Sequence, residues 1–340
     1  MITNVVIRFL FQNKSEELNL LFRIYYLIAF LFTFTVLVSL IFSQSVYLKY
    51  NISDRQNLIN IPKVQQHTQK INQNDFDQNK ILTSDLLEEK FDNRLFDIDY
   101  IKESKKVPNI IIAKLPNDFK NIYSPSLKKE MFIKIALPLI VKENEDLISK
   151  NLKIENLQNK FEFINRREAL WLRKKMEDYE VSNNSIGELL MKVDAIPVSI
   201  ALSQAAVESG WGSSRFASEG NALFGQYVWG DKKGIVPEER SEDEIYKIKS
   251  FKNLKSSVSS YMKNLNSNFH YDEFRLNRYV MRKNGIALDG IYLSEFLYNY
   301  STEKDYPEKI KKIIQSNDLD DFDEVRIDYF SVESSQSDII

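Results

Sequence analysis

The residues best placed to do chemistry lie between Ser203 and Gly230, in the run SQAAVESGWGSSRFASEGNALFGQYVWG. Glu208 follows the small apolar residues Ala205, Ala206 and Val207, and Trp211 stands three positions further on. A carboxyl held between apolar walls favours its neutral form, so its pKa rises toward neutrality. Such a group can protonate a departing oxygen as a general acid. Trp211, Phe224, Tyr227 and Trp229 supply flat apolar faces on which a ring-shaped ligand could stack. A structural reading competes with this one. A lone glutamate at a helix end is usually solvated, and aromatic residues at such spacing usually fill a core.

Composition narrows the chemistry further. The chain of 340 residues has no cysteine and two histidines, His67 and His270. Thiol nucleophiles, disulfides and Cys-ligated metals are therefore excluded, and a multi-histidine metal site is implausible. No G-x-S-x-G elbow is present. Lys and Arg total 46 against 48 Asp and Glu, a balance that gives no support to a nucleic-acid partner. Chemistry on this chain is expected to run on carboxylates, with no cofactor.

The elements that must position these residues read as mainly helical. Phe132, Ile135, Ala136, Leu139 and Ile140 recur at helical spacing, as do Leu152, Leu157, Phe161 and Ile164. A helix is expected over Ser185–Val193. Another should open near Pro197 and run to about Ser209, where Gly210 and Gly212 break it. Between Ile235 and Phe251 the texture changes to a short β-hairpin around a charged turn. Helices resume at Ser256–Leu265, Gly290–Tyr300 and Pro307–Ile314.

Outside this body, residues 24–42 carry no charge and are dominated by Leu, Ile, Phe and Val. About 19 residues nearly span a hydrocarbon layer of roughly 30 Å. The expected plan is a short cytoplasmic segment over 1–20, a transmembrane helix over 21–43 and a polar linker over 44–106. A catalytic domain follows over 107–317, and an acidic disordered tail over 318–340. A cleaved signal peptide is the competing reading of the apolar run.

The run AAVESGWGSSRFASEGNALFGQY resembles the signature of the bacterial glucosaminidases of glycoside hydrolase family 73, in their Bax-like branch. VPNIIIAKLP, KKEMFIKIALPLIVKEN, GIVP and SVSSYMKNLNSNFHYDEFR are similar to successive blocks of that branch, from Val107 to Asn317. The resemblance implies a lysozyme-like helical fold with a small β-hairpin at the cleft, preceded here by the transmembrane helix. It also implies an endo-β-N-acetylglucosaminidase type of activity on peptidoglycan, and it sets the catalytic glutamate on Glu208. The protein would then sit in a bacterial inner membrane with its domain on the cell-wall side.

A two-carboxylate glycosidase needs a second acid, roughly 5 Å away for retention or about 6.5–9.5 Å for inversion. Related glucosaminidases place it on the hairpin, which reads IVPEERSEDEIYKIKSF here. Glu239 is the candidate by its place, with Glu238 on the alternate face, and a solvated acidic turn is the competing reading. Tyr261 and Tyr300 are candidate cleft residues that equally fit helix packing, and Arg215 and Asn221 are expected to fix the loop after Glu208. The alternatives to hydrolysis are a lytic transglycosylase and a non-catalytic wall-binding or scaffold protein.

Overall fold

The computed structural model describes residues 82–93, 96–238, 240 and 245–329. The expected transmembrane helix and Glu239 lie outside the described residues. Every described residue belongs to one compact unit, residues 76–340. Among them no helix is long and apolar enough to cross a membrane.

The unit is mainly helical. Its centre is helix α3, which follows α1 (Ser84–Asn93), α2 (Ile98–Ser104) and the short strand β1 (Lys106–Pro108). Helix α3 runs from Pro125 to Asn159, and Ser124 caps it by accepting from the Leu127 N–H. Residues 131–141 are buried on every side, the mark of a helix enclosed by its neighbours. Pro138 lies inside this stretch and forgoes its own backbone hydrogen bond. The two apolar runs read at helical spacing largely form this one helix, which gives way to a 3-10 turn at Phe161–Phe163.

Helices α4 (Arg166–Asp178), α5 (Ile186–Lys192) and α6 (Val198–Ser209) follow. Helix α6 is buried from Val198 to Ala206 and ends where Gly210 takes a left-handed conformation, φ 57°. Trp211 and Gly212 continue with φ 52° and 77°. A methyl group on Gly212 would lie 2.8 Å from the Phe119 ring and 3.1 Å from that of Phe132. The turn therefore needs glycine to seat against the core.

After α7 (Arg215–Gly220) comes a three-stranded antiparallel sheet, ordered β2 (Tyr227–Val228), β4 (Lys247–Lys249), β3 (Gly234–Ile235). Tyr227 pairs with Ile248 on one side, and Ile235 pairs with Ile248 on the other. The expected hairpin corresponds to β3 and β4, and the third strand, β2, carries Tyr227. Helices α8 (Leu254–Ser267), α9 (Asp272–Lys283), α10 (Gly290–Ser294) and α11 (Tyr306–Ser316) complete the body. Helices α4 and α9 were not foreseen, and α10 stops at Ser294 where a helix to Tyr300 was expected.

Two domain limits read from the sequence need correcting. The stretch read as linker to residue 106, with a short helix near Leu86–Phe91, is folded from α1 onward, with Leu87, Phe91, Phe96 and Ile101 fully or nearly fully buried. Its polar average conceals an apolar face, since Leu87 and Phe91 sit one turn apart. The tail read as disordered from 318 is folded as far as Tyr329. Leu319 and Phe322 are buried in a 3-10 turn, and β5 (Arg326–Asp328) pairs in parallel with β1. Four apolar residues spaced among the acids anchor it: Leu319, Phe322, Val325 and Ile327.

Candidate active site

Glu208 occupies the penultimate position of α6, half-buried at the point where the helix leaves the core. Burial raises its carboxyl above the ordinary glutamate range, and the nearby Glu303 adds to that shift. A hydrogen bond from Tyr306 and the charge of Lys309 oppose it without cancelling it. The net direction is the one a general acid requires.

The hydrogen bond comes from a buried chain of side chains. The Tyr306 hydroxyl donates to Glu208 Oε1 at 2.8 Å. Gln204 Nε2 donates to the Tyr306 oxygen at 3.0 Å, and the Tyr261 hydroxyl donates to Gln204 Oε1 at 2.6 Å. Gln204 and Glu208 are one turn apart on α6, so both face α8 and α11. Tyr261, Gln204 and Tyr306 are buried. Burial holds the Tyr306 phenol far above its usual range, and the neighbouring Glu208 pushes it the same way. The phenol therefore stays protonated and remains a donor.

On the other side of the carboxyl lies the backbone that follows α7. A methyl group on Gly225 would stand 3.1 Å from Glu208 Oε2. Glycine, in its left-handed conformation (φ 58°), is what lets the chain pass this close. The segment is anchored at several points. Asn221 Nδ2 donates to the Phe251 carbonyl at 3.0 Å, and the Leu223 N–H donates to Ser257 Oγ at 3.1 Å. The Tyr300 hydroxyl donates to the Phe224 carbonyl at 3.0 Å, and its ring stacks on that of Tyr306. Asn221 and Tyr300 thus hold the loop against the carboxyl.

Two residues beyond Gly225 the chain enters β2 and its aromatic side chains emerge. Tyr227 and Trp229 are each more than half exposed, with ring centroids 6.3 Å apart. Tyr246 meets Tyr227 edge-on at 4.7 Å. These three rings form an open apolar surface on the sheet.

Of the remaining expected site residues, Phe224, Tyr261 and Trp211 each pack against another ring. Phe224 is buried and stacks on Tyr261, with centroids 3.9 Å apart and planes 6° from parallel. Neither ring presents a face to a ligand, because the loop can approach Glu208 only by packing Phe224 into the core. Tyr261 reaches the site through its hydroxyl and Gln204. Trp211 lies edge-on to Phe132 of α3, with Lys129 Nζ 5.0 Å over its ring. Its left-handed backbone directs it to α3, and the rings of Tyr300 and Tyr306 adjoin Glu208. Glu239 lies outside the described residues. Glu238 is exposed and paired with Arg215 Nε at 3.2 Å, while Arg215 Nη2 donates to the Val236 carbonyl at 2.9 Å. Arg215 therefore grips the rim of the sheet rather than the loop after Glu208.

Sequence reasoning missed Gln204, Tyr306 and Tyr246. Gln204 could have been found, because a buried amide one turn before a candidate acid on an otherwise apolar helix needs a partner. Nothing local marks Tyr306, which is 98 residues away from the carboxyl it touches.

Comparison with known proteins agrees with the motif reading. Residues 185–319 match the glucosaminidase family model, described as mannosyl-glycoprotein endo-beta-N-acetylglucosaminidase. The chain is similar to Protein bax of Escherichia coli (strain K12), 28% identical over 207 residues, covering 59% of this chain and 73% of that one. It is also similar to the exo-glucosaminidase LytG of Bacillus subtilis (strain 168), 32% identical over 156 residues, covering 44% of this chain and 54% of LytG. Among solved structures, the catalytic domain of the autolysin Auto from Listeria monocytogenes matches at 18% identity and a TM-score of 0.30. That match covers 50% of this chain and 96% of that one.

Proposed function

We propose, from the match of residues 185–319 to the glucosaminidase family model, that the chain is a glycoside hydrolase acting on peptidoglycan. In this reading it cleaves the β-1,4 bond that follows N-acetylglucosamine, and Glu208 protonates the leaving oxygen. The observation that carries the reading is the Glu208 carboxyl itself. It is raised by burial, held by Tyr306 through Oε1, and faced on Oε2 by backbone without a Cβ. The open rings of Tyr227 and Trp229, with the half-buried Tyr246 against Tyr227, are the surface on which the sugars stack.

The steps follow from these groups. Protonated Glu208 delivers its proton to the glycosidic oxygen as the C–O bond breaks, and positive charge develops on the sugar. The new carboxylate keeps the Tyr306 hydrogen bond, which favours the charged form at the moment it appears. Glu208 can then take a proton from the attacking water. Glu239 on the hairpin is the candidate second carboxyl, and without it the substrate's own acetamido group supplies the nucleophile. Anchoring through the apolar run 24–42, with the domain on the wall side, completes the proposal.

The test compares the chain with its Glu208→Gln variant on purified peptidoglycan, with products read by mass spectrometry. Fragments with reducing-end N-acetylglucosamine from the wild type alone are expected. The variant should lose at least about a hundredfold in rate. Anhydro sugars would reassign the chain as a lytic transglycosylase. Glycan binding without products from either folded protein would make it a wall-binding protein.

A further inference from the structure

The turn between α3 and α4 carries two exposed phenylalanines far from Glu208 in sequence, and the proposed hydrolysis does not use them. Phe161 and Phe163 stand on the short 3-10 segment that closes α3, and Phe163 is 83% exposed. Leu170 of α4 is also exposed. Arg166, Arg167, Arg173 and Lys174, all exposed, lie three or four residues from Leu170 and so surround it on the helix surface. Between residues 150 and 175, eight Lys and Arg stand against three Glu, in a chain whose net charge is −2. Some of the basic groups are engaged locally: Lys160 pairs with Glu168 at 2.8 Å, Arg173 with Glu177 at 3.3 Å and Lys175 with Asp178 at 2.5 Å, and Lys153 lies over the Trp171 ring at 4.0 Å.

Large apolar side chains exposed within a ring of cations are not explained by solubility or by the core. A surface that is apolar at its tip and anionic around it would satisfy both. The boundary of a phospholipid bilayer has that layout: acyl chains accept the aromatic tips while negative headgroups meet the Lys and Arg. Purely polar anionic polymers would pair with the charges and leave Phe161, Phe163 and Leu170 wet. We infer that this turn is a docking face for an anionic phospholipid bilayer, with Phe161 and Phe163 entering the headgroup boundary and Arg166 and Arg167 contacting lipid phosphates. Together with the apolar run proposed as an anchor, such a contact would hold the domain against the membrane at a defined orientation. The two ideas stand or fall separately.

The absence of cysteine allows a direct test, because a single Phe163→Cys variant carries an environment-sensitive fluorophore at one site. Tyr123→Cys, at another exposed position, is the reference. The labelled full chain is mixed with vesicles of phosphatidylcholine alone, or of phosphatidylcholine with phosphatidylglycerol. The expected result is blue-shifted emission at position 163, quenched by lipid-borne spin labels, only when phosphatidylglycerol is present. The shift should vanish in about 1 M salt, where the screening length falls to about 3 Å. It should also vanish in an Arg166→Glu, Arg167→Glu variant, whose fold is safe because acidic residues suit the first turn of a helix. Identical emission at 163 in both vesicle types would overturn the inference. So would a shift induced by a soluble anionic wall polymer without vesicles, which would assign the face to that polymer. Co-flotation with pure phosphatidylcholine vesicles reads the anchor independently, and the response to phosphatidylglycerol reads the docking face whether or not the anchor holds.

Discussion

Glu208 is a case of one residue type whose function depends on which of its two oxygens meets what. Oε1 is occupied by Tyr306, while Oε2 faces Gly225. Removing the phenol hydroxyl in Tyr306→Phe takes away an interaction that lowers the Glu208 pKa, so that pKa should rise further. A general acid is active while protonated and is lost as pH climbs through its pKa. The alkaline limb of the kcat/KM profile should therefore move to higher pH in the variant. The rate at the optimum should fall about tenfold as the new carboxylate loses its donor. A pH profile of muropeptide release checks both, and an unmoved limb would mean that Tyr306 acts only in packing. Gln204 Nε2 would also lose its acceptor, costing about 1–3 kcal/mol in thermal stability.

At the scale of elements, α6 is held at both ends by groups distant in sequence. Its N-cap residue, Pro197, offers no side-chain cap. Asp323 takes that role from beyond α11, accepting from the Ser199 N–H at 2.7 Å and from Ser199 Oγ at 2.8 Å. Burial pushes this carboxyl up to about 7, against the pull of the Ser199 and Gly290 N–H groups. The sign follows from linkage. A carboxyl whose pKa is raised by folding binds its proton more tightly in the native state. Its contribution is fully present below the unfolded pKa, near 4, and is lost as pH rises toward about 7. Glu208 contributes in the same direction. Asp323→Asn should cost about 1–2 kcal/mol as a weakened helix cap and should flatten the fall in Tm between mild acid and neutrality. Thermal melts at stepped pH values measure both effects. A slope identical to that of the wild type would show that Asp323 does not titrate there.

At the scale of the molecule, two segments far apart in sequence meet: β1 near residue 107 pairs with β5 near residue 327. A chain cut to residues 107–317, the limits suggested by the motif blocks, would lack Leu87, Phe91 and Phe96 at one end. At the other it would lack Leu319, Phe322 and the Asp323 cap. Each buried apolar side chain is worth about 1.5–3 kcal/mol, and a domain's net stability is only about 5–15 kcal/mol. The truncated chain should therefore lose its cooperative thermal transition, whereas the full chain keeps it. A sharp calorimetric transition from residues 107–317 would show that the terminal elements are dispensable.

Much was legible in advance because it depends on local order. The helix ending at Gly210, the carboxyl of Glu208 at its last turn, and the hairpin strands follow from spacing and turn chemistry within a dozen residues. The family resemblance was carried by one unbroken run. Other features depended on contacts across the chain. Phe224 and Trp229 look equally suited to stacking, yet one is buried and the other open, since burial depends on α8 arriving more than thirty residues later. Trp211 turned toward α3 because three successive left-handed residues redirect the chain, a choice that only packing against Phe119 and Phe132 explains. Tyr306 and Asp323 reach α6 from 98 and 124 residues away. The sequence by itself determined which residue could be the acid. The tertiary structure decided what surrounds it, because desolvation and hydrogen-bond partners belong to positions in space and not to neighbours in the chain.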